Sequence, residues 1–453
     1  MNVKEINRVY FIGIGGIGMS ALARYFRKQG AIVKGYDKTK SELTQHLEHE
    51  GIEVHYTDDV ALLNKETQLV VYTPAVPKDH KELSWYRDNN YPVYKRSDVL
   101  QWITESLFAI TVAGTHGKTT ISTMIAYLLR ETGYGCNAFL GGISVNYDSN
   151  YWSSDKQVAI IEADEYDRSF LKLSPDVAVL TAMDPDHLDI YGTKEEMEKA
   201  FIQYTKNIKG GGTLLVKHGL HREEELKGPK TINYSLQNDA ANVYASNIIQ
   251  KDGEYVFDIT GENWEMKDMH LKIGGMHNVE NAVAAIAVTR LLGIDKQTVK
   301  QKLPGFKGVK RRFEYVLKTD KIVYIDDYAH HPEELAALIK SAKQLFHNRK
   351  CVIAFQPHLF SRTRDLAEGF ANSLDMADEV ILLDIYPARE LPIEGVTTKL
   401  IADKMSNPAH TILSKEGLLQ YVETAPLDLF ITAGAGDIDQ LIDPIKEILE
   451  NKK

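Results

Sequence analysis

The sequence predicts an α/β protein of three domains, each built on a mostly parallel sheet. Three observations carry this. Short Val/Ile-rich runs alternate with helix-length amphipathic segments along the whole chain. Two glycine-rich turns, Gly13 to Gly18 and Gly114 to Thr120, each stand between a strand-like run and a helix-like one. The chain has 453 residues, more than a single hydrophobic core supports. The expected segments are a Rossmann-like first domain (residues 1–106), a central phosphate-loop domain (107–312) and a Rossmann-like C-terminal domain (313–453).

In the first segment, Val9 to Ile12 reads as a buried strand, followed by Gly13-Ile14-Gly15-Gly16-Ile17-Gly18 and a helix to Gln29. Ala31 to Tyr36 is a second strand, ending in Asp37. Leu69 to Tyr72 is another, ending in Thr73. Asp37 lies 19 residues after Gly18, where an acidic side chain reaches a ribose hydroxyl. The pattern reports a diphosphate at a helix N-terminus with a ribose nearby. A dinucleotide and a nucleotide sugar satisfy it equally.

The second segment opens with the most informative string, Val112-Ala113-Gly114-Thr115-His116-Gly117-Lys118-Thr119-Thr120. It follows an apolar run (Leu107 to Val112) and opens an amphipathic helix (Ile121 to Arg130). Glycines let N–H groups converge on phosphate oxygens, Lys118 neutralises charge, and the Thr119 hydroxyl suits Mg²⁺. ATP is the expected ligand, although Val112 stands where the usual first glycine would be. Glu162 ends the strand Val158 to Ile161, and Asp184-Pro185-Asp186-His187 follows Val177 to Thr181. Glu162 and His187 therefore stand as candidate metal ligands at neighbouring strand ends. A more irregular stretch from Asn242 to Ile273, with antiparallel pairing as one reading, follows, then a helix from Asn278 to Leu292 on which Asn278 and Asn281 share a face suited to an adenine edge. Arg311 or Arg312 is placed to meet a triphosphate.

The third segment reads as strands Lys321 to Ile325, Cys351 to Phe355, Val380 to Asp384, Thr411 to Leu413 and Leu429 to Thr432, with helices between. Polar clusters follow these strands at one end: Asp326-Asp327-Tyr328-Ala329-His330-His331, Gln356-Pro357-His358 and Gly434-Ala435-Gly436-Asp437. Ligands of open α/β sheets sit at that end. Glu333 and Glu334 read as first-turn residues favoured by the helix dipole. The guanidiniums of Arg362 and Arg364 suit a carboxylate.

Composition narrows the function classes. Lys and Arg total 53 against 63 Asp and Glu, a net charge of −10, which disfavours nucleic acid as a partner. The two cysteines, Cys136 and Cys351, form no C-x-x-C pair and suit a reducing compartment. No apolar run approaches the ~18 residues of a membrane span. A cytoplasmic protein with no membrane partner is expected, as a monomer or weak homodimer.

Taken in order, these motifs resemble the Mur ligase family across essentially the whole chain. The matching strings are Phe11 to Ser20, Ala113 to Thr120, Glu162-Ala163-Asp164-Glu165, Asp186-His187-Leu188-Asp189, His277-Asn278, Asp326 to Pro332 and Gln356-Pro357-His358. The resemblance implies an ATP- and Mg²⁺-dependent ligase that joins L-alanine to UDP-N-acetylmuramate through an acyl phosphate. It implies a sugar-nucleotide site at Gly13, Gly15, Gly16, Gly18, Asp37 and Thr73. ATP falls to Gly114, Thr115, His116, Gly117, Lys118, Thr119, Thr120, Asn281, Arg312 and Asp327, and Mg²⁺ to Thr119, Glu162 and His187. Tyr328, His330, His358 and Arg362 are placed near the alanine and the muramoyl carboxylate, and Lys118, Glu162, His187, His330 and Arg362 are the expected catalytic set.

There are two departures from familiar patterns. Leu359 stands where relatives often carry a basic residue, so Arg364 or Arg389 is left to compensate. Several Mur ligases use a carbamylated lysine beyond the metal histidine; that place here reads Phe201-Ile202, so none is expected. A murein-peptide-recycling ligase, joining a tripeptide to the same sugar nucleotide, is the alternative within the family. An NAD-dependent dehydrogenase leaves the phosphate loop unexplained. A non-catalytic nucleotide-regulated module would turn over ATP independently of any sugar nucleotide.

Overall fold

The computed structural model describes residues 3–452 apart from Asp186, His187, Asp252 and Arg389. Among the described residues, twenty-one strands form three sheets. The first comprises β1 (Arg8–Ile12), β2 (Ile32–Tyr36), β3 (Glu53–His55), β4 (Leu69–Tyr72) and β5 (Val93–Lys95), all parallel, in the order β3-β2-β1-β4-β5. The order reverses on either side of β1, so the crevice at its carboxyl end is the natural ligand position. The turn Gly13–Gly16 opens there.

The second sheet comprises β6 (Phe108–Ala113), β7 (Asn137–Ser144), β8 (Ser149–Trp152), β9 (Val158–Glu162), β10 (Val177–Leu180), β11 (Thr213–Lys217), β12 (Lys230–Ser235), β13 (Val243–Lys251), β14 (Glu254–Gly261) and β15 (Trp264–Leu271). Its order is β15-β14-β13-β12-β11-β10-β6-β9-β7-β8. β6, which carries the phosphate loop, lies between β9 and β10, parallel to both. The third sheet comprises β16 (Glu314–Lys318), β17 (Val323–Asp327), β18 (Cys351–Phe355), β19 (Glu379–Leu382), β20 (His410–Ile412) and β21 (Leu429–Ala433), in the order β16-β17-β21-β18-β19-β20. Only β16 runs antiparallel in it.

Most sequence-read strands recur within a residue or two. The helix after the phosphate loop begins at Lys118, three residues before its expected start, because Gly117 adopts a left-handed conformation at its N-cap. β3, β5, β7, β8, β12 and β16 were not legible, and the stretch Asn242 to Ile273, read as irregular, holds the three long strands β13, β14 and β15. β3 and β5 are three residues long, and β7 contains Gly141-Gly142, which breaks any side-chain alternation.

Two compact units divide the chain. One holds everything up to Ser246 with Asp258–Lys267 and Glu280–Leu303; the other holds Asn247–Phe257, Asp268–Val279 and everything from Pro304 onward. In the first unit a single buried apolar cluster runs from Val9 and Phe26 through Phe139 and Tyr151 to Phe201 and Leu214, so the first sheet and the phosphate-loop region share one core. Tyr25 packs on Phe139 with ring centroids 5.3 Å apart. Nearby, the buried guanidinium of Arg24 donates to both Glu50 oxygens and to Asn150 Oδ1, so its charge is paired. Phe201, at the position where a carbamylated lysine would stand, is fully buried against Phe170. Cys136 and Cys351 are both buried free thiols, and burial pushes each up to about 12. Among the described residues no helix is long and apolar enough to cross a membrane.

Candidate active site

The helix Ile17–Lys28 starts from Gly16 with no side-chain cap and no acidic residue in its first turn. The phosphate-loop helix Lys118–Glu131 is alike. By contrast, the helices Glu42–His49 and Lys194–Thr205 are capped by Ser41 and Thr193. The two glycine-turn helices thus leave their first-turn N–H donors open to an anion.

At the first turn, Gly15 N–H donates to Asp37 Oδ2 at 2.7 Å, and Thr39 N–H donates to Asp37 Oδ1 at 3.0 Å. Asp37 is therefore held against the glycine turn, and Thr73 lies beside Gly13. Gly18 faces Arg96 so closely that an added Cβ would overlap the guanidinium. Arg96 pairs in turn with Asp164 at 3.5 Å.

At the second turn, Lys118 Nζ donates to Gly114 O at 2.7 Å and to Glu165 Oε1 at 2.8 Å. Thr119 Oγ1 donates to Glu162 Oε1 at 3.0 Å, and Gly141 N–H donates to Glu162 Oε2 at 3.1 Å. The β6–β9 register, Val112 opposite Glu162, delivers that carboxylate to the loop. The segment after β10 closes the other side: Thr181 Oγ1 donates to His116 O, Thr115 N–H to Ala182 O at 3.1 Å, and Asp184 N–H to Thr115 Oγ1 at 3.1 Å. Thr120 follows on the helix's first turn. Asn281 Oδ1 lies close beside Gly117. His187 lies outside the described residues, as does Arg389.

A cavity of about 250 Å³ lies between the start of the helix Ile17–Lys28 and Lys118. Gly18, Arg96, Lys118, Gly141, Glu162 and Asp164 line it. An anionic group on the first helix's N-terminus and a phosphate on the second would thus share one space.

ATP and Mg²⁺ fit the residues present. The open helix N-terminus, the glycines and Lys118 suit a polyphosphate, and Thr119 with Glu162 supplies the hard oxygens Mg²⁺ prefers.

In the other unit, a separate group assembles on the carboxyl ends of β17 and β18. The Arg312 guanidinium lies 5.5 Å from the Tyr328 ring centroid, Tyr328 packs on His330 at 5.2 Å, His330 on His358 at 6.2 Å, and His358 stacks on Tyr386 at 5.9 Å. Burial lowers the His330 pKa, Glu334 opposes, and Arg362 and Arg312 push the same way as burial. Arg362 Nη1 is buried with no hydrogen-bond partner among the described residues. Leu359 precedes the next helix with a positive φ of 72°.

Arg311 is consumed structurally. It donates to Asp326 Oδ2 at 3.1 Å and Gly434 O at 2.6 Å and pairs with Asp439 at 3.4 Å, whereas Arg312 is exposed. Both Asp327 oxygens accept backbone N–H groups, from Phe313 at 2.6 Å and Ala329 at 2.7 Å. Burial raises Asp327 to about 6. Glu334 does more than complement a dipole: it accepts the N–H groups of His330 and His331. Asn278 Nδ2 donates to Gly274 O at 2.5 Å.

Sequence reasoning missed Arg96 and attached no role to Glu165. Glu165 closes the string Glu162-Ala163-Asp164-Glu165, so its signal is local. Arg96 carries no local signal, because its neighbour Gly18 is 78 residues away.

Three descriptions of known domains match this chain: the Mur ligase family catalytic domain over residues 8–107, the Mur ligase middle domain over 112–289 and the Mur ligase glutamate ligase domain over 311–436. The chain belongs to the Mur ligase family. One relative within that family, the UDP-N-acetylmuramate–L-alanine ligase of Cytophaga hutchinsonii, is 46% identical across 100% of this chain and 99% of its own. The ligase of the same name from Parabacteroides distasonis is 48% identical across 99% and 98%. The crystal structure of UDP-N-acetylmuramate-alanine ligase from Thermotoga maritima superposes with a TM-score of 0.82 at 28% identity, covering 98% of this chain and 100% of that one. A murein peptide ligase from Psychrobacter arcticus shares the Mur ligase fold, with a TM-score of 0.68 at 22% identity over 98% and 99%.

Proposed function

We propose that this Mur ligase is an ATP-dependent ligase that adds L-alanine to UDP-N-acetylmuramate in peptidoglycan precursor synthesis, working in the cytoplasm. The observation that carries the reading is the cavity lined by Gly18, at the start of the first glycine-turn helix, and by Lys118 and Glu162. An acid at the first helix's start and a phosphoryl group beside Lys118 would share that space. Full-length relatives bearing the alanine-ligase name support the choice of substrates.

A carboxylate resists attack by an amine because it is already negative and has no leaving group. The lactyl carboxylate oxygen attacks the γ-phosphorus of ATP in line, and ADP leaves. Lys118 and the loop N–H groups stabilise the charge spread over the phosphoryl oxygens. Mg²⁺, held by Thr119, Glu162 and His187, would neutralise part of the same charge. Alanine's amine then attacks the acyl carbon, and inorganic phosphate departs. The alanine ammonium must first lose a proton. His330, whose pKa burial lowers, is suited to accept it, and Arg362 to hold the amino-acid carboxylate.

The test is ADP release with each amino acid, with and without UDP-N-acetylmuramate. Release that requires both the sugar nucleotide and L-alanine supports the reading. Release driven better by the tripeptide overturns it in favour of the recycling ligase, and release independent of any sugar nucleotide overturns both. Lys118→Ala should cut the sugar-dependent rate by about 100- to 1,000-fold.

A further inference from the structure

Lys118 is held at two points. An ammonium has three N–H donors. One goes to Gly114 O at 2.7 Å and one to Glu165 Oε1 at 2.8 Å, which leaves one for an anion at the mouth of the loop. The Glu165 side chain is 1% exposed, and its second oxygen, Oε2, is buried with no hydrogen-bond partner among the described residues. Its backbone is pinned as well: Glu165 O accepts the Tyr191 hydroxyl at 2.7 Å and the Arg168 N–H at 3.0 Å.

This carboxylate has Lys118 as its charge partner. Drawing the ammonium away would strand a buried negative charge, which is costly. Lys118 therefore cannot swing freely toward a bound phosphate, as an untethered lysine on its flexible four-carbon stem would. The neutralising carboxylate also weakens the pull of Lys118 on any resting polyphosphate. An arrangement that gives up ground-state attraction for a fixed donor direction favours the transition state.

We propose that Glu165 is the positioning residue of Lys118, aiming its third N–H at the phosphoryl group in transfer and raising turnover at some cost in ATP affinity. The inference rests on the ligase reading above.

Glu165→Ala and the near-isosteric Glu165→Gln test it in the full chain. Steady-state ADP release is measured with saturating UDP-N-acetylmuramate and L-alanine, and binding of a non-hydrolysable ATP analogue by calorimetry. Glu165→Ala should lower kcat by about 100-fold, the scale of a misplacement near 1 Å, without raising the KM for ATP. Glu165→Gln keeps an acceptor and loses the charge. It should lower kcat less and tighten analogue binding. An unchanged kcat in both variants overturns the proposal. So does a raised ATP KM at constant kcat, or analogue binding lost in Glu165→Gln together with its thermal stability, since a packing role alone predicts that. If wild-type protein releases no ADP with the sugar nucleotide, the ligase reading fails instead, and analogue binding still reports on the Glu165–Lys118 pair.

Discussion

Thr119 Oγ1 donates to Glu162 Oε1 across 3.0 Å, tying the first turn of the phosphate-loop helix to the end of β9 through two hard-oxygen groups. If that pair holds Mg²⁺, removing the hydroxyl removes a ligand and frees the carboxylate. Thr119→Val should raise the Mg²⁺ concentration for half-maximal ADP release by about 10- to 100-fold. An unchanged Mg²⁺ titration would take Thr119 out of the metal site.

Gly114 has φ +128°, and a Cβ there would overlap Thr181 Oγ1 and lie 2.7 Å from the Ala182 backbone nitrogen. Neither obstacle is a flexible chain end. Gly114→Ala should cost about 1–3 kcal/mol of stability from backbone strain and clash, read as a lower urea midpoint. A midpoint equal to wild type would mean the loop relaxes freely.

Glu82 is fully buried, accepting the Tyr10 hydroxyl at 2.7 Å and the Asp59 N–H at 3.3 Å, with His55 Nε2 at 3.4 Å. Burial pushes its pKa from 4.5 to about 7. Between those values the folded protein keeps a proton that the unfolded chain has released. The unfolded state then binds fewer protons, so this group's contribution to stability falls as pH rises through the window. Glu82→Gln should become progressively more stable relative to wild type between about pH 4.5 and about pH 7. Urea unfolding at several pH values checks this; a pH-independent difference between the two proteins contradicts it.

Arg362 presents a buried Nη1 with no partner among the described residues, in the group that includes His330 and His358. A charge-assisted bond to a carboxylate would satisfy it. Arg362→Ala should raise the KM for L-alanine by about 10- to 100-fold, the scale of a lost hydrogen bond to a charged group, with a smaller effect on the KM for ATP. An unchanged alanine KM removes Arg362 from that role.

Chemistry that lives within a few neighbouring residues was legible in the chain. Strand–glycine turn–helix units need local hydrophobic runs and small residues, and both glycine turns declare themselves that way. The place of Glu162 was legible too, since a carboxylate at the end of an apolar strand is a local pattern. Tertiary structure alone decided which groups meet. Arg96 reaches Gly18, Glu165 holds Lys118, and Arg311 is spent on Asp326, Asp439 and Gly434 while Arg312 is left exposed. These contacts follow from strand order, such as β9 lying beside β6, and from the register that sets Glu162 opposite Val112. Short-range sequence pattern specifies strands and turns. Strand neighbours are selected by burial summed over a whole core, and no local window contains that sum.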